Sequence, residues 1–235
     1  MDETPRTHLV TGGGSGIGAE VARRLHARGD RLIVVGRSQE RAEQLATEYA
    51  GATPLAADLA DPAGLEAALS RADLPLRLDS VVLAAGVVDL APVAELDLHR
   101  WQAQLDVNLT APAVLLRATL PALRAARGTV VLVNSGAGLN ANPTWSAYAA
   151  SKFGLRALAD ALRAEEAQTG VRVTTVYPGR TATAMQEKVH EQEGRAYDPA
   201  QWSDPGTVAA TILHVLDLPA DSTVPDLTVR PGPGR

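Results

Sequence analysis

The chain contains no cysteine among its 235 residues, and this absence excludes several kinds of chemistry. Disulfide bonds, thiolate catalysis and cysteine-based metal sites all require that residue. The five histidines are scattered along the chain, and no two of them stand at the spacing of metal ligands. We therefore expect no metal site.

Long apolar runs and an excess of basic residues are also missing. No stretch of about 18 consecutive apolar residues occurs, so we expect no transmembrane helix. The formal net charge is −5, a poor match for nucleic acid, because that partner needs a basic surface. The first residues carry no signal-peptide pattern. Together these absences predict a cytoplasmic protein that binds neither nucleic acid nor membrane.

What the sequence does contain is an alternation of short apolar runs and longer amphipathic stretches. The short runs are apolar at consecutive positions, which is typical of strands covered on both faces of a parallel sheet. These predicted strands are Leu9–Val10, Leu32–Val35, Val81–Ala85, Thr129–Val133, Val171–Val176 and Leu227–Val229. The helical spacing falls at Gly18–Arg28, Gln39–Tyr49, Leu65–Arg71, Asp106–Ala126 and Tyr148–Gln168.

This β-α-β alternation predicts an α/β fold with one domain over residues 1–235. We expect a Rossmann-type, doubly wound parallel sheet of about seven strands, with helices on both faces. The core should span about residues 7–218, and the tail from about residue 219 should fray after its last strand. Asp61-Pro62 and Asp204-Pro205 predict helix starts, whereas Pro121 should kink or break its helix.

A glycine-rich segment, Thr11–Gly18, follows the first predicted strand and opens the first predicted helix. Glycines there let the backbone turn tightly and approach a pyrophosphate, whose charge then meets exposed amides and the helix N-terminus. A flexible loop has the same composition, and the position between a strand and a helix is what favours a dinucleotide site. The candidate cofactor contacts in this segment are Gly12, Gly14, Ser15, Gly16, Ile17 and Gly18.

The end of the second predicted strand bears on which dinucleotide binds. Sheets that bind NAD usually carry an acidic residue there, which grips the ribose hydroxyls. In this chain Gly36 takes that position, and Arg37 and Ser38 follow. An arginine makes a forked contact with the 2′-phosphate of NADP, and a serine adds a hydrogen bond. We expect NADP(H) rather than NAD(H), although a solvated arginine at a helix start would give the same sequence.

Tyr148 and Lys152 stand four residues apart, so on a helix their side chains share one face. A free tyrosine has a pKa of about 10, too high for acid-base catalysis near neutral pH. A nearby ammonium and a cationic nicotinamide both favour the phenolate, and a pKa of about 7 needs roughly 4 kcal/mol of such stabilisation. By itself, a tyrosine and a lysine at this spacing are more often a packed tyrosine beside a solvated lysine than a catalytic pair.

Taken together, the glycine turn and this pair resemble the short-chain dehydrogenase/reductase family, in its compact single-domain branch. The spacing Thr-Gly-x-x-x-Gly-x-Gly begins at Thr11, and Ser135 lies thirteen residues before Tyr148, as is usual in the family. The resemblance covers about residues 7–218, and the further matches follow in the family's order. They are Asp58 with Leu59, Ala84-Ala85-Gly86, Asn108, Pro178-Gly179 and Thr183.

The resemblance implies a role for each matching residue. Tyr148 would exchange a proton with the substrate oxygen, which Ser135 would orient. Lys152 would hold the nicotinamide ribose and lower the pKa of Tyr148, and Asn108 would hold a water in a relay to Lys152. The further implied cofactor contacts are Asp58, Leu59, Ala85, Gly86, Pro178, Gly179, Thr181 and Thr183. Plain structural roles, as strand-end or helix caps, remain open for Ser135 and Thr183.

The substrate should lie beyond the carboxyl ends of the strands, between segments 87–94, 136–145 and 185–197. Candidate contacts are Leu139, Asn140, Asn142, Trp145 and Met185. The charged segment 186–195 is either a mobile lid or a solvated surface helix. Arg180 should face either the cofactor phosphates or the substrate, and no arginine cluster in these walls demands an anionic substrate. We expect a modest carbonyl compound.

The function that follows is NADPH-dependent reduction of a ketone or aldehyde to an alcohol. One alternative is a catalytically silent regulatory protein that binds NADP(H), although a sensor has no need of Ser135, Tyr148 and Lys152. Another is a sugar-nucleotide epimerase, which usually has a longer substrate domain. Family members often pair through two long helices, here 106–126 and 148–168, so we expect a homodimer or homotetramer. The apolar face for such pairing comprises Ala147, Ala150, Gly154, Leu155, Leu158 and Leu162.

Overall fold

Seven parallel strands form the sheet at the centre of the computed structural model, which describes residues 4–233. Their order across the sheet is β3-β2-β1-β4-β5-β6-β7, so the chain reverses its direction of progress between β1 and β4. Ligands of such sheets bind in the crevice at that reversal. The strands are β1 (Thr7–Thr11), β2 (Arg31–Gly36), β3 (Thr53–Ala56), β4 (Ser80–Leu83), β5 (Thr129–Val133), β6 (Arg172–Pro178) and β7 (Asp226–Val229).

Eight α-helices connect and cover these strands within the described residues. They are α1 (Gly16–Ala27), α2 (Gln39–Glu48), α3 (Pro62–Arg71), α4 (Leu98–Leu105), α5 (Ala111–Ala126), α6 (Ser146–Glu165), α7 (Ala184–Gln192) and α8 (Pro205–Leu216). The predicted starts of α3 and α8 are confirmed, because Asp61 and Asp204 accept hydrogen bonds from the amides of Gly64 and Gly206. None of the helices within residues 4–233 is long and apolar enough to cross a membrane.

Consecutive apolar residues of the strands pack alternately into two separate cores, one on each face of the sheet. The apolar runs in the sequence predicted such strands covered on both faces. In β1, Leu9 faces a layer built with α3, α5 and α6, whereas Val10 faces the layer of α1, α2 and α8. β5 alternates in the same way, with Leu132 in the first layer and Val133 in the second. The predicted doubly wound, single-domain Rossmann-type sheet is therefore confirmed. The predicted bounds of 1–235 include residues 1–3 and 234–235, which lie outside the described residues.

The long helix predicted over 106–126 differs from the structure in two ways. It starts earlier, because α4 continues through a π-helical turn at Asp106–Thr110 directly into α5. The wider turn, in which the amide of Ala111 bonds to the carbonyl of Asp106, precedes Pro112 and accommodates its missing amide hydrogen. The break predicted at Pro121 is wrong: that proline is exposed within α5, where solvent can bond the carbonyl it leaves free.

Two further predictions need correction. The tail does not fray directly after β7, because Arg230 and Pro231 both lie against Gly179, where a Cβ would stand 3.1 and 3.2 Å from their Cδ atoms. The apolar face proposed for pairing lies mostly inside the chain. Ala147, Leu155 and Leu162 are buried, and Leu158 packs on the core that α5 and α6 share.

Candidate active site

A cleft of about 490 Å³ opens at the carboxyl ends of β1, β4, β5 and β6. The topology places it there, because the loops after these strands diverge at the reversal between β1 and β4. The sequence-predicted residues that line it are Gly12, Ser15, Gly16, Ile17, Ala85, Gly86, Ser135, Asn140, Asn142, Trp145, Tyr148, Lys152, Pro178, Gly179, Thr181, Thr183 and Met185. Those outside its lining are Gly14, Gly18, Arg37, Ser38, Asp58, Leu59, Asn108 and Leu139.

The glycine turn brings α1 against the end of β1. Gly12 has a φ of +70°, and a Cβ on Gly18 would stand 2.4 Å from the carbonyl oxygen of Gly12, so only glycine permits this approach. Ser15 precedes the helix and makes no capping hydrogen bond with its side chain. Gly16 and Ile17 line the cleft, which places the N-terminus of α1 beside it. This is the arrangement that binds phosphate in α/β sheets.

A second cation, Arg41 of α2, lies over the same turn. A Cβ on Gly14 would stand 2.3 Å from Nη2 of Arg41, and that nitrogen donates to the Gly14 carbonyl at 3.4 Å. Arg37 is exposed close by in sequence, and the Ser38 hydroxyl caps α2 by accepting from the Arg41 amide at 3.2 Å. The segment from the end of β2 into the first turn of α2 therefore carries two arginines, Arg37 and Arg41, where the sequence interpretation counted only Arg37.

Ser135, Tyr148 and Lys152 come together in the cleft. Tyr148 is only 6% exposed and packs edge-on against Trp145, with ring centroids 5.7 Å apart. The Ser135 hydroxyl acts to lower the pKa of Tyr148, and the ammonium of Lys152 lies 5.7 Å from the centre of the tyrosine ring. The spacing of four residues on α6 thus puts the tyrosine and the lysine on one face of the helix. The loop after β5 supplies the serine.

Burial governs the pKa values of this pair. It raises the pKa of Tyr148 to about 12, and the hydrogen bond from Ser135 offsets only part of that rise. Burial also lowers the pKa of Lys152 from 10.5 to about 8. The pKa near 7 that the sequence predicts for Tyr148 depends on the ammonium and a cationic nicotinamide acting together, and it stays a prediction for the enzyme with bound cofactor.

Lys152 is held by the end of β5 on both its side chain and its backbone. Its Nζ donates to the Val133 carbonyl at 3.0 Å. The Asn134 amide donates to the Lys152 carbonyl at 3.0 Å, and its oxygen accepts from the Ser135 amide at 2.8 Å. Asn134 therefore fixes the serine and the lysine relative to each other. Sequence reasoning missed this residue, because nothing in its spacing distinguishes it from its neighbours.

Asn108 lies behind the cleft, on the π-helical turn. Both hydrogens of its amide are engaged, by the Val87 carbonyl at 2.9 Å and the Ser151 hydroxyl at 3.0 Å, and its oxygen accepts from the Val87 amide. A Cβ on Gly86 would stand 3.2 Å from that oxygen and 3.8 Å from Nζ of Lys152. The amide oxygen and the lysine thus approach the same point, which only a glycine leaves open.

Three predicted contacts have mainly structural surroundings. The Asp58 carboxylate is exposed and accepts from the amide of Ala60, and Leu59 packs on the core. Leu139 is 39% exposed and is not among the residues that line the cleft. Thr183 lines the cleft and also caps α7, where its hydroxyl accepts from the Gln186 amide at 3.3 Å. The predicted cofactor contact and the helix cap are therefore compatible roles for this residue.

The charged segment 186–195 packs on the rest of the chain, so it is not a plain solvated helix, and its interpretation as a mobile lid stays a prediction. α7 buries Val189 and His190, and Lys188 donates to the Val88 carbonyl at 2.9 Å. At its far end, both carboxylate oxygens of Glu193 accept from Arg180, at 2.7 and 2.8 Å. Arg180 lines the cleft and its guanidinium lies 5.5 Å from the Trp202 ring.

The family model described as short chain dehydrogenase matches residues 6–194, most of the chain. The chain belongs to the short chain dehydrogenase family. It is an oxidoreductase of that type, and the matched span contains the glycine turn, Ser135, Tyr148 and Lys152.

Curated relatives and solved structures cover nearly the whole of this short chain dehydrogenase. An uncharacterized oxidoreductase of Staphylococcus epidermidis is 28% identical, over 95% of this chain and 96% of its own. A short chain dehydrogenase structure from Escherichia coli CFT073, complexed with NADPH, is 30% identical and covers 95% of each chain with a TM-score of 0.85. A closed form of serine dehydrogenase with NADP+ is 26% identical, covering 96% of this chain and 94% of its own, with a TM-score of 0.83.

The C-terminal segment of this short chain dehydrogenase also reaches the cleft. Arg230, directly after β7, lines it beside Gly136 and Gly179. The sequence interpretation placed it in a fraying tail, and no local pattern marks it. Only the pairing of β6 with β7 brings this residue to the site.

Proposed function

We propose that this short chain dehydrogenase is an NADP(H)-dependent enzyme that interconverts a carbonyl and an alcohol, with Tyr148 as the general acid and base. The observation that carries the proposal is the convergence of Ser135, Tyr148 and Lys152 in the cleft that also holds the N-terminus of α1. A phosphate-binding helix end and a proton donor within one cleft are what such a reaction requires.

The residues around the glycine turn fit a dinucleotide. The N-terminus of α1, the close glycine approaches and the hydroxyl of Thr183 provide positions for the pyrophosphate. Lys152 would hold the nicotinamide ribose, and Pro178, Gly179 and Thr181 would surround the nicotinamide. When bound, the reduced cofactor supplies the hydride that the carbonyl carbon accepts.

Tyr148 supplies the proton in the direction of reduction. With a pKa of about 12 it is protonated at neutral pH, which is the form that donates to a carbonyl oxygen. Ser135 donates a hydrogen bond to the same oxygen and orients it. The product is an alcohol, and the tyrosine recovers its proton from solvent. In oxidation the phenolate accepts the alcohol proton, and the Lys152 ammonium favours that charge.

The end of β2 favours NADP over NAD. Arg37 and Arg41 are both cations, and Ser38 is a hydroxyl, whereas an acidic residue there would repel a 2′-phosphate. Two family structures complexed with NADPH or NADP+ support the same preference. We expect Arg37→Asp to reverse the preference toward NADH.

The experiment that tests this function follows absorbance of the cofactor at neutral pH with wild type, Tyr148→Phe and Arg37→Asp. Each is mixed with NADPH or NADH and a panel of aldehydes, ketones, diketones and oxo acids. We expect turnover with NADPH that falls by at least about a thousandfold in Tyr148→Phe, because general acid catalysis and orientation are lost together.

Three results would contradict the proposal. Turnover that persists in Tyr148→Phe would remove the assigned acid. A preference for NADH in wild type would refute the role of Arg37. Tight NADPH binding without turnover of any carbonyl would instead favour the silent regulatory protein.

A further inference from the structure

The charged side chains that line the cleft are all cations. Lys152, Arg180 and Arg230 line it, and no aspartate or glutamate does so within residues 4–233. Lys152 is placed for the cofactor ribose and for Tyr148. Arg180 follows β6 and Arg230 follows β7, and the proposed proton transfer uses neither of them.

Arg230 is positioned by the backbone of the sheet. Pro178 of β6 pairs with Val229 of β7, and the Gly179 amide donates to the Val229 carbonyl at 2.7 Å. The side chain of Arg230 then lies against two glycines, Gly179 and Gly136. A Cβ on Gly179 would stand 3.1 Å from its Cδ, and a Cβ on Gly136 would stand 3.0 Å from Nη1. Any larger residue at either glycine would crowd this path.

The guanidinium of Arg230 therefore rests beside the residue that follows Ser135. Ser135 orients the reacting oxygen in the proposed function, so this cation belongs to the substrate half of the cleft. The phosphate-binding elements lie on the opposite half, where α1 and Arg41 adjoin β1 and β2. Arg230 is placed for the substrate rather than for the cofactor phosphates.

The two arginines differ in how their charge is balanced. Arg180 is paired with Glu193, whose two carboxylate oxygens both accept from Nη2 of the arginine, at 2.7 and 2.8 Å. Arg230 has no acidic partner in the described part of the chain. An exposed cation in the cleft lining, beside Gly136 and without an acidic partner in the described residues, is complementary to an anionic group on the substrate.

We propose that Arg230 binds a carboxylate of the substrate, so that the substrate class is a small hydroxy acid or the corresponding oxo acid. The planar guanidinium matches a carboxylate with two parallel hydrogen bonds, and the cleft carries no acidic side chain that would repel it. The assignment rests on the proposed function for the reaction, and it replaces the sequence expectation that no arginine calls for an anionic substrate.

The test compares wild type, Arg230→Gln and Arg230→Lys in NADPH-dependent reduction of short 2-, 3- and 4-oxo acids. Each acid is paired with its primary amide, which has nearly the same shape without the charge. Arg71→Gln, which removes an exposed arginine at the end of α3, is the matched control.

We expect wild type to prefer the acid over its amide by at least about tenfold in kcat/KM. Arg230→Gln should lose that preference through a raised KM for the acid, while its kcat/KM for the amide stays within about threefold of wild type. Arg230→Lys should recover part of the preference, since it keeps the charge without the fork. Arg71→Gln should behave as wild type.

A second readout does not require turnover. The protein loaded with NADP+ is titrated with the oxo acids, which cannot take a hydride from the oxidised cofactor, and binding is followed by tryptophan fluorescence, since Trp145 lines the cleft. Affinity that weakens at least about tenfold in Arg230→Gln and not in Arg71→Gln supports the assignment. Equal binding by all variants overturns it.

The two proposals fail in different ways. Reduction of amides and acids at equal rates, unchanged in Arg230→Gln, would refute the carboxylate site and leave the proposed function standing. Absence of turnover on every carbonyl would refute the proposed function, and the titration would then decide the role of Arg230 alone.

Discussion

At the scale of single residues, the tyrosine and the lysine of the cleft share a dry environment that disfavours charge on both. Burial raises the pKa of Tyr148 to about 12 and lowers that of Lys152 to about 8. The pair is therefore set for proton donation at neutral pH, with a phenol beside an ammonium. Acid-base work in the opposite direction requires the phenolate that this environment opposes.

The raised pKa of Tyr148 predicts how the protein alone titrates. Because the folded pKa lies above the usual value of 10, the phenol should keep its proton throughout pH 7 to 10. The measurement is phenolate absorbance of wild type and Tyr148→Phe across that range. We expect no difference between the two below pH 10, and a Tyr148-dependent phenolate signal near pH 7 would contradict this.

The burial of protonated Lys152 should lower the free energy of unfolding while it serves the activity. Its lowered pKa means that holding it protonated in the fold destabilises the protein by about 3 kcal/mol at pH 7. Lys152→Met removes that penalty but leaves the Val133 carbonyl without its partner, which costs about 1–2 kcal/mol. We expect a net rise of roughly 1–2 kcal/mol in the free energy of unfolding at pH 7, with loss of activity.

The pH dependence of that gain has a definite sign. Between pH 8 and 10.5 the unfolded chain holds the lysine proton more tightly than the folded chain. The free energy of unfolding of wild type should therefore rise through that window. The stability that Lys152→Met gains over wild type at pH 7 should vanish there. Urea unfolding at pH 7 and pH 10 measures it. Lys188→Met is the control, because exposed Lys188 also donates to a carbonyl, that of Val88. A gain of equal size in the control would refute the account.

At the scale of elements, the turn between β1 and α1 depends on contact between two backbones. A Cβ on Gly18 would stand 2.4 Å from the Gly12 carbonyl oxygen, and backbone cannot move aside as a side chain can. A Cβ on Gly13, by contrast, would make its nearest contact at 3.7 Å, an ordinary van der Waals distance. Gly13 and Gly18, two glycines of the same segment, therefore differ sharply in how well each position accepts a Cβ atom.

We expect Gly18→Ala to lower the free energy of unfolding by about 1–3 kcal/mol, because overpacking forces α1 away from β1. NADPH binding should weaken by at least about tenfold, since the phosphate-binding amides move with the helix. Gly13→Ala should leave both quantities close to wild type. Cofactor titration by fluorescence and thermal unfolding of the two variants measure these effects, and equal behaviour of the pair would contradict the expectation.

At the scale of the whole molecule, assembly depends on which surfaces the fold leaves uncovered. The face of α6 that the sequence offered for pairing is mostly buried within the chain, but Phe153 on the same helix is 42% exposed. An exposed aromatic on a long helix is a typical anchor of an interface between copies. Phe153 is thus the residue through which α6 would pair.

We expect a dimer or tetramer that Phe153→Glu converts to a monomer, because the new charge would be buried at the interface. Light scattering after gel filtration gives the mass, to be compared with 24.6 kDa for one chain. Val93→Glu is the control, because Val93 is 73% exposed and belongs to a different segment, the short turn at Val93–Glu95. A wild-type mass of one chain would refute the expectation.

The sequence by itself determined the fold and the family of this protein, and it predicted the residues of the proposed chemistry. Strand positions follow from consecutive apolar residues, and the glycine turn and the Tyr148–Lys152 spacing are local patterns that one helix or one turn expresses directly. What only the tertiary structure decided depends on contacts between distant segments. Asn134, Arg41 and Arg230 reach the site through strand order and packing, which leave no periodic trace in the sequence. The pKa of Tyr148 was likewise set by burial, because solvent exposure is a property of the assembled chain rather than of its residue types.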